Sequence, residues 1–243
     1  MGEMRKCEDE KFARSEALLG SEALARLKAA RVLVVGVGGV GSWCAEALVR
    51  TGVGHITLVD DDVVAESNVN RQCPATAKTI GRPKVEAMAE RLKEINPTCE
   101  VEAICARYPC SLFPVPCSLI IDAIDSVDCK AELILGATEA GVPLVSSMGA
   151  ALRLDPTKVK VTRFEKVEGD GLARALRQRF KKLERFPAAK FSCVWSGEKP
   201  VTTPVGESAD GTVRRGSLMQ VTAVFGMCLA SEAIGILTKG ETK

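Results

Sequence analysis

The 243-residue sequence predicts an α/β fold, a Rossmann-like, doubly wound and mostly parallel sheet with a C-terminal α+β extension. Three observations point to it. Short apolar runs alternate with longer helical patterns from Arg31 to Met148; a glycine-rich hexapeptide, Gly36-Val37-Gly38-Gly39-Val40-Gly41, stands between the first run and the next helical pattern; and beyond Met148 the alternation gives way to a basic stretch and a long apolar one. Parallel strands need a crossover between them, which is why strand and helix patterns alternate in such sheets.

Val32 to Val35 is apolar and β-branched and predicts the first strand, and Gly41 to Thr51 predicts the first crossover helix. His55 to Asp60 follows through the turn glycines 52 and 54 as a second strand. Arg82 to Ile95 has helical periodicity and stops at Asn96-Pro97, because proline disfavours helical geometry in the residue before it. Glu100 to Ala106, Leu119 to Asp122 and Pro143 to Ser146 are further strands, the last two separated by a helix over Val127 to Ala140. In the extension, Lys158 to Val167 predicts a strand, Leu172 to Phe186 a basic helix and Phe191 to Trp195 another strand, with a Gly-, Thr- and Ser-rich loop over Thr202 to Gly216. Met219 to Leu237 is nearly long enough to span a bilayer, but Gln220, Glu232 and two glycines favour a helix packed on the core. Residues 1–243 are expected to form a single domain, with a core at 28–150 and the extension at 151–243.

Composition narrows the function classes. The chain is 46% apolar and carries 33 Lys and Arg against 31 Asp and Glu, which disfavours both disorder and a wholly basic nucleic-acid binder. Its ten cysteines contain no C-x-x-C pair, so neither a four-cysteine zinc site nor a thioredoxin-like motif is expected; most are expected to be small buried residues. Met1 to Glu10 has no apolar stretch of the secretory kind, and a reducing cytoplasm is expected.

The glycine loop lies between strand and helix, where free N–H groups and the positive end of the helix attract a phosphate. Asp60 ends the next strand, where a carboxylate accepts hydrogen bonds from a ribose, so an adenine nucleotide is expected; glycines serving only close helix packing are the structural alternative. Arg71, in a polar loop, and Lys84, at a helix start, suit a fork and a point charge on a triphosphate, although either alone reads as a solvated surface charge. Asp125 follows an apolar strand at the edge where parallel sheets bind ligands and is a candidate for Mg2+, better placed than Asp122 inside the strand; alternatively Asp125 or Ser126 caps the following helix. His55, the one histidine, is given no catalytic part.

Taken together, Gly36, Gly38, Gly39, Gly41, Asp60, the run Ser67-Asn68-Val69-Asn70-Arg71-Gln72, Lys84 and Asp125 resemble the adenylating core of the ubiquitin-activating-enzyme-like superfamily, from about Phe12 to Gly149. Asp122 to Val127, Ser146 to Ala150 and Leu154 to Thr157 look like its tRNA threonylcarbamoyladenosine dehydratase branch. The resemblance implies ATP-dependent activation of a carboxylate followed by intramolecular ring closure, with no cysteine nucleophile. It implies an ATP site of Gly36, Gly38, Gly39, Gly41, Asp60, Ser67, Asn68, Asn70, Arg71, Lys84, Asp125 and Ser126, of which Arg71, Lys84 and Asp125 are catalytic and Asp125 holds Mg2+. Arg14 resembles an arginine that reaches a neighbouring subunit's ATP, which implies a homodimer, although Lys11 stands where an arginine is common. Sulfur-transfer accessory proteins and a monovalent cation are compatible with it.

The competing activity within the superfamily is adenylation of the C-terminus of a ubiquitin-like sulfur carrier, with Cys193 or Cys129 as a candidate for a thio-linkage; the missing C-x-x-C motifs lower it. Outside it stand a nicotinamide oxidoreductase and a nucleotide-sensing protein without catalysis. Charge placement favours tRNA: Arg153 to Lys190 holds twelve Lys and Arg against five Asp and Glu, a local net charge of +7 that leaves −5 for the rest. Within the basic helix, Leu172, Leu176, Phe180 and Leu183 share one face, and Arg174, Arg177, Lys181, Lys182 and Arg185 are the candidate tRNA contacts.

Overall fold

The computed structural model describes residues 10–109, 116–201 and 215–239. Two short helices, α1 (Ala13–Leu19) and α2 (Ser21–Ala29), lead into β1 (Arg31–Val35), α3 (Gly41–Thr51) and β2 (His55–Val59). Then come α4 (Lys84–Ile95), β3 (Glu100–Ile104), β4 (Leu119–Asp122), α5 (Val127–Glu139) and β5 (Leu144–Ser147). The extension supplies β6 (Val159–Arg163), α6 (Gly171–Leu183), β7 (Ser192–Ser196) and α7 (Met219–Thr238).

One seven-stranded sheet runs in the order β3-β2-β1-β4-β5-β7-β6, parallel except for β6, which pairs antiparallel with β7 at the edge. Because β5 hydrogen-bonds to β7, the sheet continues across the boundary between core and extension. Side chains alternate between its faces. Val32, Val34, Ile56, Leu58, Ile121 and Val194 pack beneath α3, α4 and α7, while Leu33, Val35, Ile120, Leu144 and Trp195 pack beneath α5 and α6.

Several boundaries differ from expectation, each for a local reason. No element was expected before Val32; α1 and α2 are held by Phe12 and Leu24, which pack against the bend at Gly52. The fourth helix begins at Lys84 rather than Arg82, because the extended backbone of Pro83 pairs with Val63 and the Arg82 carbonyl accepts from Val64 N–H. β3 stops at Ile104, level with the end of its partner β2. The predicted strand over 158–167 is shorter, since a 3-10 turn at Phe164–Lys166 ends it. The basic helix ends at Leu183, where Glu184 turns left-handed with φ 53°. Most of the loop expected over Thr202 to Gly216 lies outside the described residues.

The apolar segment from Met219 is long and apolar enough to cross a membrane, yet it lies on the sheet. Val221, Phe225, Leu229 and Ala233 are wholly buried, and the helix packs most extensively on α3. At Gly226 a Cβ would stand 2.6 Å from the Val40 carbonyl oxygen, so the two helices touch backbone to backbone at the start of α3.

Candidate active site

Strand order reverses between β1 and β4, and a crevice opens there beyond the carboxyl ends of the strands. Gly36 leaves β1 with φ 93°, and a Cβ on it would sit 2.6 Å from the Ala123 carbonyl oxygen, which follows β4. Gly41, opening α3, has no room for a side chain at all because the Gly36 carbonyl fills the space. These two glycines are demanded by packing. Gly38 has no such neighbour and Gly39 is only moderately crowded, by Arg71 and Thr222, so packing alone does not account for the whole motif.

Asp60 stands beside the loop. Its Oδ2 accepts from Val37 N–H at 2.6 Å and its Oδ1 from Asp62 N–H at 2.9 Å, which fixes the loop and leaves further lone pairs on the carboxylate. Burial pulls its pKa upward, opposed by the Lys84 ammonium and by those two amides. Lys84 is buried at the start of α4, 2.6 Å from Asp62 Oδ2. Its charge therefore enters the crevice through Asp62 and Asp60.

The run from Ser67 to Gln72 forms a turn behind the loop. Asn68 is buried and its Oδ1 accepts from Ala65 N–H at 3.0 Å, which shapes the 3-10 turn Glu66–Asn68. Arg71 Nη1 donates to the Ser67 carbonyl and to Asn70 Oδ1, both at 2.9 Å, and Asn70 Nδ2 donates to the Ser217 carbonyl at 2.9 Å. Trp43 Nε1 donates to the Arg71 carbonyl. The guanidinium is half-buried, and desolvation lowers its pKa from the ordinary arginine value. Below the turn, Glu46 accepts from Arg91, Arg50 and the Cys73 thiol; burial would raise its pKa, but these donors hold it at about 2.

Asp125 is exposed just past β4, and Ser126 precedes α5 without a side-chain capping bond, so that structural alternative is not what the chain does. Asp122 lies wholly inside the sheet, as its place in the strand predicts. Lys130, one turn into α5, has no solvent exposure and was missed in the sequence. Its Nζ lies 2.8 Å from Asp122 Oδ2 and donates to the Ile124 carbonyl at 3.0 Å, while Asp122 also accepts from Ile124 N–H and Ser146 Oγ. A buried ion pair thus clamps the loop that carries Asp125. A second missed residue, Arg107, is exposed in the segment after β3, where the Cys129 thiol and then the charges of Asp61 and Asp125 raise its pKa. Carboxylates beside a phosphate-binding loop suit Mg2+, which takes one or two of them together with phosphate oxygens and water.

The outlying predictions fare differently. Arg14 is exposed on α1, two residues after Phe12, which packs against Gly52 at the end of α3 remote from the glycine loop. Of the five basic-helix cations, two already have partners within the chain: the half-buried Arg177 and the exposed Arg185. Arg177 donates to the Phe164 and Val167 carbonyls at 2.9 and 2.7 Å, and Arg185 pairs with Glu132 and Glu139 on α5. Arg174, Lys181 and Lys182 are exposed, as is the ion-paired Arg185. Cys193 is sealed inside the sheet with its thiol pushed up by desolvation, which argues against a thio-linkage there; Cys129 is half-buried on α5, beside Arg107. His55 pairs with Glu100 at 2.8 Å, at the other edge of the sheet.

The chain matches the ThiF family model over residues 12–243. It is 39% identical to the tRNA threonylcarbamoyladenosine dehydratase of Escherichia coli (strain K12) over 93% of its own length and 92% of that protein's, and 43% identical to that of Bacillus subtilis (strain 168) over 70% and 69%. The solved E. coli dehydratase in complex with ATP superposes with a TM-score of 0.84 at 38% identity, covering 94% of this chain and 93% of that one. By this match and by the crevice built around its glycine loop, the chain belongs to the ThiF family.

Proposed function

We propose that this protein is an ATP-dependent dehydratase that closes the threonylcarbamoyl group of N6-threonylcarbamoyladenosine, beside the anticodon of tRNA, into a ring. The observation that carries it is that the glycine loop, Asp60, Arg71, Lys84 and Asp125 border one crevice in a chain that resembles such dehydratases along nearly its whole length. A carboxylate oxygen is a poor leaving group until ATP activates it; ring closure then expels it, and the net change in the nucleoside is loss of one water. The loop amides and Asp60 orient the nucleotide, and Arg71 and Lys84 offset negative charge as the carboxylate approaches the phosphates. Asp125 would hold Mg2+, which screens phosphate charge and aligns its oxygens.

Several finer features belong to the same proposal. The enzyme works as one domain, in the cytoplasm, and as a homodimer in which Arg14 of one copy enters the crevice of the other, a reading supported by its exposure and by its neighbour Phe12 packing at the end of α3 remote from the glycine loop. The sulfur-carrier alternative has less support, with no paired C-x-x-C motif in the sequence and Cys193 inaccessible.

Nucleoside mass spectrometry after incubation with ATP, Mg2+ and tRNA bearing threonylcarbamoyladenosine should give a product lighter by one water, only when ATP is present. An unchanged nucleoside alongside a working control enzyme would sink the assignment. Replacing Arg174, Lys181 and Lys182 together with alanine should weaken tRNA binding and flatten its salt dependence by roughly 0.7–0.9 in log–log slope per lost phosphate contact, leaving the KM for ATP alone. An unaltered slope would remove this helix from the RNA-binding surface.

A further inference from the structure

A second pocket lies at the far end of α6 from the crevice. Asp170 caps the near end, accepting from Ala173 N–H at 2.9 Å and from Gly149 N–H just beyond β5, so α6 starts beside the active-site edge of the sheet. Thirteen helical residues later, about 20 Å away, the chain turns at Glu184 and doubles back beneath the helix. Arg185 is anchored to α5 by Glu132 and Glu139, and Ala188 N–H donates to Thr138 Oγ1 at 3.1 Å, so the rim between them is fixed.

The cavity measures about 510 Å3, within the range of small-ligand sites, and four of the chain's seven phenylalanines line it. Phe164, Phe180 and Phe191 form a packed floor: the first and last stack at 5.1 Å, and Phe180 meets Phe164 edge-on at 6.1 Å. Phe186 differs from them in being 62% exposed at the rim. Its ring adjoins Phe164, Phe180 and Phe191 in one pocket, so it extends an apolar surface rather than standing alone. Lys181 and Lys190 stand on the same rim against a single acid, Glu165; Arg177 lies over the Phe164 ring with its Nη2 donating to two backbone carbonyls.

We propose that this pocket receives an unstacked base of the tRNA, its ring lying on Phe186 and its flanking phosphates against Lys181 and Lys190. The proposal rests on the dehydratase function above and extends it from the modified adenosine to the arm that carries it. Single-stranded RNA is recognised largely by stacking splayed bases on aromatic rings between backbone-binding cations, and this pocket supplies both elements. The length of α6, about 20 Å, equals the rise of about six stacked nucleotides, a span that one arm of a tRNA covers. A peptide would find a rim whose lysines outnumber its one carboxylate.

The test compares Phe186→Ala and Phe186→Trp with the wild type in the full-length protein, reading the KM and Kd for tRNA bearing threonylcarbamoyladenosine. Phe186 is exposed, so both variants should keep the wild-type melting temperature. Phe186→Ala is expected to weaken tRNA binding roughly five- to a hundredfold, with the slope against salt and the KM for ATP unchanged, and Phe186→Trp is expected to restore it. Binding by Phe186→Ala within twofold of wild type would overturn the proposal and leave the surface to a protein partner. Equal losses in both variants would overturn it too, since stacking would not be the cause. If the wild type itself leaves the nucleoside unchanged, it is the dehydratase assignment that fails.

Discussion

Lys130→Met is expected to cost about 3–5 kcal/mol of stability, because it leaves the Asp122 carboxylate without its counter-ion where water does not reach. For a chain of this size that corresponds to a fall in melting temperature of roughly 6–20 °C. Replacing both partners, as Lys130→Met with Asp122→Leu, should recover much of the loss, since exchanging a whole buried pair for apolar groups is often close to neutral. Activity should not return with it. The double variant still lacks the two bonds to Ile124 that hold the turn before Asp125, so the restored fold should remain slow. Thermal unfolding and steady-state rates of the three proteins separate the two effects. A drop of less than about 2 °C in the single variant would show that the pair does not hold this part of the structure.

Arg71→Ala is expected to lower kcat/KM ten- to a hundredfold, the cost of about 1.5–3 kcal/mol of charge-assisted hydrogen bonding. Its backbone carbonyl still accepts from Trp43, and Asn70 still bonds the Ser217 carbonyl, so the turn should stand and unfolding should change little. Arg71→Lys should recover only part of the rate. An ammonium keeps the charge but not the planar fork that can grip two phosphate oxygens while its remaining donors hold Ser67 and Asn70. The same variant tests the dimer: mixing it with Arg14→Ala should produce hybrids with one intact crevice and more activity than either parent. Wild-type turnover by Arg71→Ala would show that the triphosphate lies elsewhere.

Most of the parallel sheet was legible because its strands are apolar runs and its helices are bounded by glycine and proline, signals that act within a few residues. The crevice was legible for the same reason: Gly36 to Gly41, Asp60, Lys84 and Asp125 all sit at ends of elements, where position in sequence translates directly into position at the sheet edge. Lys130 was not, because a charged residue within a helix reads as solvated until the fold shows what lies above it. The basic helix illustrates the converse. Its periodicity gave the buried face correctly, but only the packing of α5 and of the Phe164 turn revealed that Arg185 and Arg177 are already engaged.

The docking of α7 on α3 also bears on how the chain is made. Thr222 backs Gly39, Ser217 holds Asn70, and Arg26 reaches across to the Thr238 carbonyl, so the nucleotide loop leans on residues translated long after it. At about 5–20 residues per second, roughly 4–18 s separate the emergence of residue 150 from that of residue 238. During that interval the nascent chain holds a complete glycine motif and an uncovered apolar face on α3. ATP would find no finished site on such a chain, and its exposed apolar surface would be open to the kind of chaperone that binds such surface.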